Sequence, residues 1–162
     1  MASNARLPSA TPLVIVGVVC LAAVGAALVS QHVFDMQPCP WCVLQRVIFV
    51  AIAIVCLVGA AFRAGAARIG AASLAALLAM AGIAAALWQH FKAAASASCN
   101  LTLADKIISG LQLDSLLPDV FAPRASCADA AVSLFGIPYD FWSLALFVLC
   151  AAAALSTLRR RA

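Results

Sequence analysis

Apolar and polar residues in this chain do not alternate at strand spacing, nor do they form one apolar stripe per helix. They fall into long apolar blocks separated by polar stretches. Residues 7–34 contain no Asp, Glu, Lys or Arg, and a first membrane span is placed at about residues 11–30. The second uncharged run, residues 47–62, has 16 residues and reaches ~24 Å as a helix. A bilayer core of ~30 Å needs about 20 residues. The second span must therefore start near residue 41 and carry Arg46 to the outer boundary of the hydrocarbon. The third block is about residues 69–88 and the fourth about 141–158. The prediction is an all-α four-transmembrane-helix bundle, a single membrane domain over residues 1–162, with loops at about 31–40 and 89–140.

The second loop is too long to be a plain connector. Leu103, Ile107 and Leu111 recur at helical spacing within residues 101–113, with Asp105 and Lys106 between them. This predicts a short amphipathic helix on the membrane surface; packing into a folded loop is the competing reading. Pro118, Pro123 and Pro138 break the remainder into turns. The first block is longer than the 7–15 apolar residues typical of a signal peptide, so it reads as a retained helix.

Composition agrees with the pattern. The 162 residues are 66% apolar and 10% charged, with no glutamate, far from the balance of a soluble domain. No basic stripe or nucleic-acid motif is present. The distribution of the net charge of +4 says more than its size. Arg6, Arg63, Arg68, Arg159, Arg160 and Arg161 all fall at one side of the spans. All six aspartates fall at the other, with Lys92, Lys106 and Arg124. The positive-inside rule places the termini and residues 63–68 in the cytoplasm and the two longer loops outside. Trp41, Trp88 and Trp142 sit at the outer helix ends, as an interfacial belt would.

Candidate chemistry concentrates in Pro38-Cys39-Pro40-Trp41-Cys42-Val43-Leu44-Gln45-Arg46. Pro40 has a fixed φ and no N–H, which suits the first turn of a helix. Cys39 then lies near the N-cap and Cys42 in the first turn, where the positive helix end favours thiolate. Arg46 is one turn on, so its guanidinium can approach the Cys42 sulfur. An ionisable residue at that depth is a functional candidate, with snorkelling to headgroups as the alternative.

Seven cysteines are present. Cys20, Cys56 and Cys150 are mid-span and read as small hydrophobes. Cys39, Cys42, Cys99 and Cys127 lie in the outer loops, and four cysteines permit three pairings. Cys39 and Cys42 are nearest in sequence, which leaves Cys99 and Cys127. Purely structural bridges, a four-thiolate zinc site and an electron relay are the competing readings. A structural 99–127 bridge would contribute ~3.5 kcal/mol by the chain-entropy model. Structural zinc sites usually pair two short Cys spacings, and only one exists here. Haem attachment needs His after the second Cys, and residue 43 is Val. A relay needs a lipid-soluble acceptor at the depth of Cys42.

Cys39-Pro40-Trp41-Cys42 followed by Arg46, His90 ending the third span, Cys99 and Cys127 in the long loop, and Phe135-Gly136-Ile137-Pro138 before the fourth span together resemble the disulfide bond formation protein B family, the bacterial inner-membrane DsbB proteins. The resemblance implies a quinone-dependent thiol oxidase of the inner membrane, with both termini cytoplasmic and the redox loops periplasmic. Its partner would be a soluble, thioredoxin-fold oxidase of the DsbA kind, and its cofactor ubiquinone or menaquinone. Two redox-active pairs are implied, Cys39 with Cys42 and Cys99 with Cys127. Reduced partner would attack Cys99, Cys127 would attack Cys39, and reclosure of the Cys99/Cys127 bridge would leave Cys39 and Cys42 reduced. Cys42, Arg46 and His90 would meet the quinone; His32 has no matched role and reads as interfacial. The alternative is a non-enzymatic membrane scaffold whose disulfides brace a binding loop.

Overall fold

A computed structural model describes residues 10–93 and 102–159. Arg6, Cys99, Arg160 and Arg161 lie outside the described residues. Among the described residues, four helices are long and apolar enough to cross a membrane: α1 (Thr11–Val33), α2 (Pro40–Ala61), α3 (Gly65–Trp88) and, after the long loop, α7 (Tyr139–Arg159). The all-α prediction holds. Each helix differs from its sequence estimate by a few residues, most of all α3, which runs on through a π-helical turn, Gln89–Ala93.

α2 packs between α1 and α3, and α3 also packs along α7. The buried face of α3 is Ala71, Ala72, Ala75, Ala76, Ala79, Gly82, Ala85 and Ala86. Between membrane helices such small residues allow the close backbone approach from which packing energy comes. Gly82 marks the close approach of α3 to α7, because a Cβ there would collide with the Phe147 ring. That ring is fully buried and stacks on Phe49, centroids 4.0 Å apart and planes 3° from parallel. Cys20, Cys56 and Cys150 are buried in this same core, with the Cys20 and Cys150 sulfurs 3.6 Å apart. They pack as small hydrophobes.

The long loop is more structured than its prolines suggest. It holds α4 (Leu103–Gly110), the single turns α5 (Leu113–Leu116) and α6 (Pro118–Phe121), and a two-stranded ribbon of β1 (Ser133–Leu134) and β2 (Ile137–Pro138). α4 opens with a capping box between Thr102 and Asp105, which satisfies two otherwise orphaned backbone donors. Its buried face is Ala104 and Ile108 rather than the predicted leucines. Ile108 meets Val43 of α2 and Phe121 of α6 in a small satellite core. Leu103 and Leu111 stay exposed. Packing into a folded loop thus prevails for one face of α4, because α2 offers it an apolar wall. The ribbon turns through Phe135 and Gly136, both at positive φ. This is the φ pattern of a type I′ turn, whose twist suits paired strands.

Trp41 also departs from expectation. It is buried and tilted against Trp88, ring centroids 6.3 Å apart, instead of facing lipid.

Candidate functional site

The site lies where the loop closes over the start of α2. Cys39 is the α2 N-cap in extended conformation, Pro40 opens the first turn, and the Cys39 sulfur accepts the Cys42 backbone N–H at 3.2 Å. Spacing and capping bring the two sulfurs to 2.7 Å. The motif therefore folds locally as its sequence predicts.

Cys127 is brought to the same place by backbone pairing. The Pro38 carbonyl accepts the amides of Arg124 at 2.9 Å and Ala125 at 3.2 Å. This pins the segment before Cys127 to the residue before Cys39. Cys127 packs against the cluster that holds Cys39 and Trp41, and the Cys39 thiol and the Trp41 backbone amide both act on its sulfur. The consequences for the two thiols are opposite. The neighbouring Cys39 thiol holds the Cys127 thiol below the ordinary thiol range, aided by the Trp41 amide and opposed by burial. Its partners Cys127 and Cys42, together with burial, push the Cys39 thiol well up. Of these two thiols, Cys39 thus keeps its proton more firmly than Cys127. Cys99 lies outside the described residues, so its pairing with Cys127 stands as an expectation.

Arg46 lies near enough to Cys42 to act on it by charge and lines the same cavity, but its hydrogen bonds go elsewhere. Its side chain is only 6% exposed, so it does not snorkel to headgroups. The guanidinium donates to Gln31 Oε1 at 2.6 Å, the Val120 carbonyl at 3.0 Å and the Ala27 carbonyl at 3.3 Å. It joins α1, α2 and α6, and makes no hydrogen bond to the Cys42 sulfur. That sulfur is instead met by Gln89 Nε2 at 3.3 Å, and Gln89 Oε1 accepts Gln45 Nε2 at 2.7 Å.

Cys42, Gln45, Arg46 and Gln89 line a cavity of about 250 Å³ between α1, α2 and α7. Tyr139 and Asp140 add polar groups, and Val24, Phe49, Trp142 and Leu146 give it apolar walls. His90 is not among the lining residues. Its Nδ1 lies 2.8 Å from Asp140 Oδ2, and the ring is held against Phe91 and Phe141. The sequence reading thus located the histidine but missed the aspartate that stands between it and the cavity. His32 meets the Asp119 carbonyl at 3.3 Å at the loop edge.

Sequence reasoning gave no role to Gln31, Gln45, Gln89 or Asp140, all buried. A signal existed. Amides and a carboxylate inside apolar helices are costly unless hydrogen-bonded, and their retention marks a polar site.

The chain matches the family described as "Disulfide bond formation protein DsbB" over residues 9–157. It is 37% identical over 142 residues to "Disulfide bond formation protein B 1" of Pseudomonas syringae pv. syringae, covering 86% of this chain and 83% of the relative. It is 36% identical over 147 residues to "Disulfide bond formation protein B" of Herminiimonas arsenicoxydans, covering 90% and 92%. Against the protein of that name from Burkholderia pseudomallei it is 35% identical over 151 residues, covering 92% and 89%.

Proposed function

The chain belongs to the disulfide bond formation protein B family, and from that premise we propose that it oxidises a periplasmic DsbA-like dithiol protein and passes the electrons to membrane quinone. Membership and four apolar helices make it a multi-pass membrane oxidoreductase of disulfide formation. The inner membrane, the outward orientation of the loops, the quinone and the partner belong to the proposal.

The observation that carries the reading is the row of sulfurs Cys127, Cys39 and Cys42, ending on the cavity wall. Reduced partner attacks Cys99 of an oxidised Cys99/Cys127 pair and frees the Cys127 thiolate. Cys127 attacks Cys39, breaks the Cys39/Cys42 bond and leaves its electron pair on Cys42. The second thiol of the partner then displaces Cys99, which attacks Cys127 and restores the outer bridge, leaving Cys39 and Cys42 reduced. Each step is an exchange through a mixed disulfide, and the lowered Cys127 thiol suits it to the second of them.

The cavity fits a flat carbonyl-bearing ring. Its walls are apolar, and its polar end carries Gln89, Arg46 and Tyr139 as donors. Gln37, also lining it, has a buried Oε1 with no hydrogen-bond partner among the described residues, an acceptor suited to a hydroxyl. A quinone bound there would accept two electrons and two protons. The chain's part is to present the Cys42 sulfur, exclude water with Phe49, Trp142 and Leu146, and hold Arg46 at the polar end.

The relay is tested by trapping its middle. In a Cys42→Ser, Cys99→Ser variant, mild oxidation should join Cys39 to Cys127, seen as a cross-linked peptide by mass spectrometry. Two free thiols under conditions that oxidise the parent's pairs would exclude transfer between the loops.

A further inference from the structure

We propose that the Gln89 amide, beside the nearer Cys39 thiol, is a donor that stabilises the Cys42 sulfur anion, and that Gln45 is the positioning residue that turns this amide toward it. The inference deepens the redox reading of Cys42 and rests on it for its purpose, though its test does not.

A glutamine amide has a donor end and an acceptor end, and only the donor end stabilises an anion. The acceptor end of Gln89 is occupied, since Gln45 Nε2 donates to Gln89 Oε1 at 2.7 Å. What remains to face the sulfur is the NH2 group, 3.3 Å from Cys42 Sγ. Turned the other way, the amide would set a carbonyl oxygen against the sulfur. That is tolerable for a thiol and repulsive for a thiolate. Both glutamines are buried, on α2 and at the start of the π-turn that extends α3. Buried amides in an apolar bundle are expensive unless paired, and one hydrogen bond joins these two while a Gln89 N–H faces Cys42. The cation that spacing assigns to this duty, Arg46, is engaged by Gln31, Val120 and Ala27. A neutral donor also stabilises the sulfur anion without burying a further charge beside it.

The test uses full-length reduced protein in detergent carrying Cys39→Ser. Serine keeps an N-cap acceptor and leaves Cys42 without its nearest disulfide partner. Iodoacetamide labelling of Cys42 near pH 7 is followed by mass spectrometry, with no quinone added. Gln89→Leu should slow Cys42 alkylation about three- to tenfold. That figure is a charge-assisted hydrogen bond's effect on thiolate population, partly offset because a more basic sulfur is more nucleophilic. Gln45→Leu should slow it less. The double variant should be no slower than Gln89→Leu alone, a non-additivity that two independent packing defects would not give. Cys127 alkylation in the same samples should not change. An unchanged or faster Cys42 rate in Gln89→Leu, or additive losses in the double variant, overturns the proposal. If Gln89→Leu also disturbs Cys127, the near-isosteric Gln89→Met decides. It removes the NH2 while keeping the shape and must slow Cys42 at least as much; a rate at or above the parent's overturns the proposal. Because no quinone is present, failure here is distinct from failure of quinone reduction in the unsubstituted protein.

Discussion

The guanidinium of Arg46 donates to the carbonyl oxygen of Val120 at 3.0 Å, which ties the second membrane helix to a single-turn helix in the loop that carries Cys127. With Gln31 and Ala27 on its other donors, this arginine braces the roof of the cavity as well as adding charge to its wall.

Replacement of Arg46 should therefore do two things at once. Arg46→Ala should weaken apparent quinone affinity by about ten- to hundredfold, the loss of a charge-assisted bond worth ~1.5–3 kcal/mol. It should also speed protease cleavage within residues 117–127, since α6 loses its anchor. Arg46→Lys keeps the charge and loses the forked geometry, so it should fall between the two in both readouts. A changed quinone Michaelis constant with unchanged proteolysis would remove the bracing role.

The two outer cysteine pairs should divide the work. Cys99→Ser or Cys127→Ser should abolish oxidation of the DsbA-like partner yet retain the Cys39/Cys42 bridge. Alkylation and mass spectrometry of the oxidised variants check this: two labelled thiols at 39 and 42 would contradict the pairing.

The reduced cluster should show unequal thiols. The Cys127 thiol is lowered and the Cys39 thiol raised, so Cys127 keeps its anion to lower pH and Cys39 holds its proton to higher pH. Between these limits Cys127 should be alkylated faster than Cys39. The gap should close in acid, where Cys127 also gains a proton. Equal rates across neutral pH would show that the interaction between them does not set their order.

Much of the fold was legible because the bilayer imposes it. Four apolar blocks must be helices when lipid offers no other backbone partner, and the short second block forced Arg46 inside. Pro40 fixed where α2 starts and so put Cys39 at the cap. Contacts across the chain were not legible. Nothing local in Cys127 says that Arg124 and Ala125 will pair with the Pro38 carbonyl. Nothing in the spacing from Cys42 to Arg46 says that the guanidinium will find three better acceptors and leave the sulfur to Gln89. The loop misled for another reason. Its prolines start helical turns or end strands as readily as they break structure, as Pro118 and Pro138 do.

Packing at the α3–α7 crossing should be intolerant of one methyl group. Gly82→Ala drives a Cβ into the Phe147 ring stacked on Phe49, and overpacking of this kind costs about 1–3 kcal/mol. Thermal unfolding in detergent should show a lowered Tm. An unchanged Tm would mean that the helices separate there freely.

Orientation is open to labelling. With Arg63→Cys or Asp114→Cys placed singly in a cysteine-free background, a membrane-impermeant maleimide should label the second and spare the first in intact spheroplasts. Equal labelling would contradict loops facing the periplasm.

The central claim is that thiol oxidation in the loop is coupled through Cys42 to a quinone. It is tested most directly by mixing purified protein, reduced DsbA-like partner and ubiquinone, and following quinone absorbance and partner disulfide together. The account predicts one quinone reduced for each partner disulfide formed, with both signals lost in Cys42→Ser. Partner oxidation that proceeds without quinone consumption, or quinone reduction that survives Cys42→Ser, would contradict it.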